Sequence, residues 1–95
     1  MSGRPQALGE MQENNARARI TQWAFAPGAE TGWHRHEYDY VVVPMADGDL
    51  LLEDKNGNSR ASLSAGKSYF RFAGVEHNVI NANDYPFAFV EIELK

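Results

Sequence analysis

Gly32-Trp33-His34-Arg35-His36-Glu37-Tyr38-Asp39-Tyr40-Val41-Val42-Val43-Pro44 is the stretch on which the rest of the chain turns. In an extended segment, residues two apart share a face, with their Cα atoms about 7 Å apart. His34 and His36 therefore point the same way, and two imidazoles reaching a metal at about 2.0–2.1 Å each can chelate one ion without bending the backbone. The β-branched run from Val41 to Val43 then favours strand, and Pro44 interrupts it, which suggests an edge position or a bulge. Upstream, Ile20, Gln22 and Ala24 alternate with Thr21, Trp23 and Phe25 up to Pro27-Gly28, giving a strand of about ten residues from Ala16. Downstream, Asp47-Gly48-Asp49 marks a turn. Two strands, Leu50 to Lys55 and Ser59 to Ser64, are joined by Asn56-Gly57-Asn58, whose Asn-Gly pair suits the positive φ of a tight hairpin. Ser68 to Phe72, Glu76 to Ile80 and Phe87 to Leu94 complete about eight short strands. Eight strands in so short a chain imply a closed all-β barrel or jelly roll, because an open sheet leaves long edges exposed.

The chain has 95 residues, 13 acidic against 9 basic side chains, a net charge of -4, three histidines and no cysteine. This length fits one domain with one site. Without cysteine there are no disulfides, thiolate zinc sites, iron–sulfur clusters or cysteine nucleophiles, and any metal must sit on histidine and carboxylate. The acidic balance gives no electrostatic footprint for nucleic acid or an anionic membrane. The longest apolar run, Val41 to Ala46, is too short to span a bilayer. The polar stretch Met1 to Asn15 lacks an apolar core of the signal-peptide type, so a cytoplasmic protein is expected. Residues 1–15 read as a flexible arm or one swapped onto a partner, and residues 16–95 as the barrel. A homodimer is expected, since the arm buries little alone and the Ile20-to-Phe25 strand would have its edge covered by a second copy.

The third histidine, His77, lies in another strand, where Val75 and Val79 alternate with polar neighbours. The residues alone leave two readings open for the three: a metal site, or two surface histidines and one partly buried in a core. Their frame is more specific. Gly28 is followed by five residues and then His34-Arg35-His36, with Gly48 as a closing glycine. Further on, Gly66, Gly74, His77 and Asn81 repeat a second spacing, with Phe72 where that pattern carries proline. Together these motifs resemble those of the cupin superfamily, from Gly28 to Asn81.

The resemblance implies a small single-domain cupin barrel with a divalent metal on His34, His36 and His77. The glutamate of the first motif falls on Tyr40 or Val41, neither of which is a carboxylate. Glu37 and Asp39 alternate away from the histidine face on a regular strand. The implied site thus has three histidines and open positions, and three neutral imidazoles leave the ion its full charge. That suits zinc, iron(II), nickel or cobalt better than manganese or calcium. By resemblance the function is metal-dependent chemistry, dioxygenase- or isomerase-like, on a small oxygen-rich metabolite. The competing classes are a non-catalytic module that binds a metal or small ligand, and a structural dimer. Tyr40, Tyr38 and Phe72 are the candidate substrate contacts, each of which also reads as barrel filling. On the last strand, Ala88, Val90, Ile92 and Leu94 form the more apolar face. Glu91 and Glu93 share the alternation of Phe87 and Phe89, and nothing in the residues indicates that either acid is buried.

Overall fold

The computed structural model describes residues 3–95; Met1 and Ser2, the start of the expected arm, lie outside the described residues. Nine strands follow one another: β1 Leu8–Asn14, β2 Ala18–Phe25, β3 His34–Arg35, β4 Asp39–Pro44, β5 Gly48–Asp54, β6 Gly57–Leu63, β7 Tyr69–Arg71, β8 Glu76–Asn81 and β9 Phe87–Leu94. They pair antiparallel into a five-stranded sheet, β1-β2-β9-β4-β7, and a four-stranded sheet, β3-β8-β5-β6. No described residue is helical, and no helix is long and apolar enough to cross a membrane. The all-β jelly-roll class holds, with one strand more than the sequence indicated.

The extra strand is β1, from the segment read as a loose or partner-swapped arm. It pairs with β2 of its own chain, with a register shift between Met11 and Glu13, and all of its residues are exposed. Exposure on both faces removes the alternation that marks a strand in sequence. The edge of β2 from Arg19 to Ala24 is consequently occupied within the chain. At the β5–β6 hairpin, Asp54 pairs with Gly57, so the loop is Lys55-Asn56. Among the described residues no residue other than glycine has a positive φ, while Gly57 takes +118°. The Asn-Gly pair therefore does not form the expected turn with both residues at positive φ. Instead Asn56 N–H donates to Asp54 Oδ1 at 2.7 Å, and Gly57 absorbs the reversal.

The core lies between the sheets. On β4 the alternation buries Tyr40, Val42 and Pro44 and leaves Asp39, Val41 and Val43 half-buried. Phe25 and Phe89 pack with ring centroids 5.4 Å apart, with Phe87, Leu50 and Val79 in the same cluster. Each fully buried aromatic or leucine side chain contributes about 2–3 kcal/mol. Asn81 is the polar centre of this end. Its amide nitrogen donates to the carbonyls of Phe25, Ala26 and Tyr85, and its oxygen accepts from Asn83. These bonds satisfy backbone groups that turn away from the sheets and that would be costly to bury unpaired.

β9 reverses the pattern expected of it. Phe87, Phe89 and Glu93 are buried and Glu91 lines the interior, so the face carrying the acids looks into the barrel. Ala88, Val90, Ile92 and Leu94 consequently look outward. Along this strand the interior passes from aromatic core to an acidic cavity wall.

Candidate metal centre

β3 and β8 are antiparallel neighbours, and their register sets His34 directly opposite His77. His36 lies just beyond β3, where its N–H donates to Val75 O and its carbonyl accepts from Gly74 N–H, both at 2.8 Å. Gly74 has φ +96°, a conformation that a side chain disfavours, so the motif glycine allows the chain to fold back onto His36. The result is convergence. His34 Nε2 lies 3.0 Å from His36 Nε2, which lies 3.1 Å from His77 Nε2, and all three ligand atoms fall within 4.8 Å of one another.

This donor set fits a divalent metal. The Gly32 carbonyl can only accept, so its 2.9 Å contact with His34 Nδ1 places the proton there and leaves Nε2 with a bare lone pair. Burial and the neighbouring imidazoles depress His36 to about 3, and burial, followed by the charge of His34, depresses His77 to about 4. Both rings are thus neutral at pH 7, the form that ligates. His34, His36 and His77 would hold such an ion through these clustered ring nitrogens.

Asn78 holds the loop before His34 in place. Its oxygen accepts from Gly32 N–H at 2.9 Å, and its amide donates to Glu30 at 2.7 Å and to Glu53 at 3.1 Å. Arg4 pairs with both acids, at 3.3 and 3.5 Å. Tyr40 stacks on His36 with centroids 3.8 Å apart and an interplanar angle of 14°, which fixes the plane of that ring.

Two hollows flank the cluster. The larger, about 380 Å³, is lined by His34 and His36 together with Arg19, Thr21, Trp23, Glu91 and Glu93. The smaller, about 170 Å³, is lined by His36 and His77 with Tyr40, Tyr69, Arg71 and Glu91. His36, Val79, Phe89 and Glu91 line both. Burial, reinforced by the charge of Glu93, raises the Glu91 carboxyl to about 7, while Arg19 acts in the opposite direction. Glu93 is held by Arg19 in a two-pronged ion pair, Nε–Oε2 at 2.6 Å and Nη2–Oε1 at 2.8 Å. Burial, with the charge of Glu91, raises the Tyr40 hydroxyl above its usual 10, so it remains a hydrogen-bond donor.

Of the candidates read from sequence, the structure gathers His34, His36, His77 and Tyr40 at one place. Tyr38 and Phe72 are not among the residues lining either hollow. Tyr38 precedes β4 and lies under Arg19, 6.0 Å from ring centroid to guanidinium carbon. Phe72 follows the end of β7, is 71% exposed and packs edge-on against Phe70. Glu37 is exposed, and the Asp39 carboxylate accepts the Ala73 N–H. The residues missed from sequence are Glu91, Glu93 and Arg19. The shared alternation of Glu91 with Phe87 and Phe89 was the one available signal.

The profile of the cupin domain family matches residues 21–93. The β-alanine degradation protein BauB of Pseudomonas aeruginosa is 61% identical over 95 residues, the whole of both chains. Among solved structures, a cupin domain from Bordetella pertussis Tohama I is 56% identical, with a TM-score of 0.95 over 97% of this chain and 96% of that one. A cupin superfamily protein from Desulfitobacterium hafniense DCB-2, only 18% identical, shares the fold at a TM-score of 0.72 over 99% and 83% of the two chains. With its motif spacings, its two antiparallel sheets and this profile in agreement, the chain belongs to the cupin domain family.

Proposed function

We propose that the protein is a metal-dependent cupin enzyme, isomerase- or dioxygenase-like, in which His34, His36 and His77 hold a divalent zinc, iron, nickel or cobalt ion. The observation that carries this reading is the convergence of three imidazole nitrogens, those of His36 and His77 kept neutral by burial, at the wall of a cavity that also holds an acid. When bound, the ion supplies Lewis-acid polarisation of a ligand oxygen. The name of BauB suggests the substrate class. Transfer of the amino group of a β-amino acid to an oxo-acid acceptor leaves a carboxylate and a carbonyl in 1,3 relation, and a small 3-oxo or hydroxy acid presents two oxygens to one ion.

The chain's own residues then divide the work. Glu91, poised near pH 7, gives or takes a proton at its carboxyl oxygens. Tyr40 keeps the His36 ring in plane and presents a protonated hydroxyl. Glu93 neutralises Arg19, so the larger hollow does not trap anions indiscriminately. Phe89 and Val79 line both hollows and give them apolar surface.

Elemental analysis of tag-free protein tests the metal: about one divalent ion per chain is expected, lost in His36→Ala. Failure of the tag-free protein to retain added zinc, iron, nickel or cobalt overturns the reading. Turnover of a small 1,3-diketone or hydroxy acid, abolished in the same variant, is expected for the enzyme. Stoichiometric metal without turnover of either class identifies a binding module instead.

A further inference from the structure

Arg71 differs from the other arginines that reach the site. Two of them line the larger hollow: Arg19 is held by Glu93 through both prongs, and Arg35 pairs with Glu76 at 3.7 Å. Arg71 lines the smaller hollow and, among the described residues, pairs with no carboxylate. The strand register puts it there. Arg71 on β7 lies directly opposite Tyr40 on β4, so the two side chains share a face, and Tyr40 stacks on His36. Being exposed, Arg71 stands at the mouth of the hollow whose floor holds the buried Tyr40. Its guanidinium carbon lies 4.5 Å from the centroid of the Tyr69 ring, and Nη1 donates to Phe70 O at 3.1 Å. Stacking and this one bond orient the planar fork, while Nε and Nη2 bond to no acceptor among the described residues. Tyr40 and Tyr69 line the same hollow, and burial raises both hydroxyls, so each remains a donor.

We propose that Arg71, with the hydroxyls of Tyr40 and Tyr69, forms a carboxylate subsite in the smaller hollow, and that the ligand is a short oxo or hydroxy acid whose carboxylate lies between Arg71 and the histidines. This deepens the metal-dependent reading and rests on it for the ligand's hold at the histidines. A guanidinium fork with a free edge matches the two oxygens of a carboxylate, and the neighbouring hydroxyls supply further donors to the same charge. Three acids also border the hollow, and each is offset. Asp54 accepts the Asn56 N–H in the β5–β6 turn, Glu76 pairs with Arg35, and Glu91 is held near the midpoint of its titration at pH 7. Size narrows the class. The hollow of about 170 Å³ has room for about six waters at roughly 30 Å³ each, which suits an acid of about three or four carbons and excludes a long acyl chain. Arg19 cannot serve in the same way, because Glu93 already fills its fork. The acid end of the ligand therefore goes to β7, and the larger hollow is left for neutral parts.

Malonate, a three-carbon acid that offers oxygens to an ion and to a guanidinium at once, is the probe. Titration calorimetry of the zinc-loaded, desalted full chain is expected to show saturable malonate binding. Arg71→Gln is expected to weaken it by about tenfold or more, and Arg71→Lys, which keeps the charge and loses the fork, by several-fold. Arg35→Gln removes the same charge from the rim of the larger hollow and is expected to stay within about twofold of wild type. Zinc content, measured by elemental analysis, is expected to be unchanged in Arg71→Gln, which separates ligand binding from metal binding. Should Arg71→Gln unfold, Arg71→Lys against Arg35→Gln still decides. A chain that retains no zinc overturns the metal reading by itself, and the same series on the metal-free chain, with the same ranking expected, then decides on Arg71. Malonate affinity unchanged in Arg71→Gln, an equal loss in Arg35→Gln, or no malonate binding by wild type overturns the inference.

Discussion

Replacing Glu91 by glutamine removes one ionisable group from the cavity wall and leaves a side chain of nearly the same shape. In the folded protein Glu91 is raised to about 7 from an ordinary 4.5, by burial first and by the charge of Glu93 second. A raised carboxyl stabilises the fold fully below the unfolded value, where both states are protonated. That contribution is lost as pH rises through the folded value, because the unfolded chain ionises first. A difference of roughly 2.5 units, at about 1.36 kcal/mol per unit, costs the wild type about 3 kcal/mol above pH 7. Water in the adjoining hollows makes this an upper figure. Glu91→Gln is therefore expected to match the wild type near pH 4 and to exceed it by about 2–3 kcal/mol at pH 8. Urea unfolding of chelator-treated protein, followed by the fluorescence of Trp23 and Trp33 at one protein concentration, measures the difference. The depressed values of His36 and His77 do not arise from Glu91, so their contribution cancels between the two proteins. An offset that is the same at pH 4 and pH 8, or a variant less stable than wild type at pH 8, refutes the reasoning.

Other perturbations probe the rest of the frame. Arg19→Ala leaves buried Glu93 without its two-pronged partner and is expected to cost about 2–4 kcal/mol in urea unfolding at pH 7, with most of the loss recovered when Glu93→Gln is added. Asn81→Ala removes the side-chain bonds to the carbonyls of Phe25, Ala26 and Tyr85, of which Ala26 keeps the Ala29 N–H, with an expected loss of about 2–3 kcal/mol seen as a lowered thermal midpoint. At Gly48 an added Cβ would lie 2.8 Å from Asn83 Nδ2 and 2.9 Å from the Tyr85 hydroxyl, so Gly48→Ala is expected to destabilise by about 1–2 kcal/mol. Gly32 has φ +85°, and Gly32→Ala strains the loop that aims His34. Titration calorimetry with zinc is expected to show that variant binding the ion more weakly than wild type.

The fold and the histidines were legible because local chemistry announced them. His34-Arg35-His36 carries its own geometry in any extended segment, and the glycines at Gly28, Gly66 and Gly74 all take positive φ. The rest depends on tertiary contacts that no window of sequence contains. Arg19 and Glu93 are 74 positions apart and meet only because β2 and β9 are neighbours. β9 misled because apolar residues are assumed to face inward, whereas here one end of the interior is a cavity with Glu91 and Glu93 in its wall. Tyr38 was placed by carrying strand parity through residues 36–38, but β3 ends at Arg35 and β4 begins at Asp39, so the alternation restarts between them. Phe72, singled out by its motif position, lies one residue past the end of β7 and is exposed.

The grip of Asn78 on the loop before His34 has a kinetic consequence. Its bonds to Gly32, Glu30 and Glu53, with the pairing of β3 and β8, assemble the ligand set from the protein's own hydrogen bonds. Small metal-dependent domains whose ligands meet only around the ion unfold when a chelator takes it. In this barrel an ion held as proposed would instead enter and leave a standing socket, its exchange a local event on the cavity wall. Among the later first-row divalent ions, ligand type and the free concentrations that a cell maintains would then select the occupant.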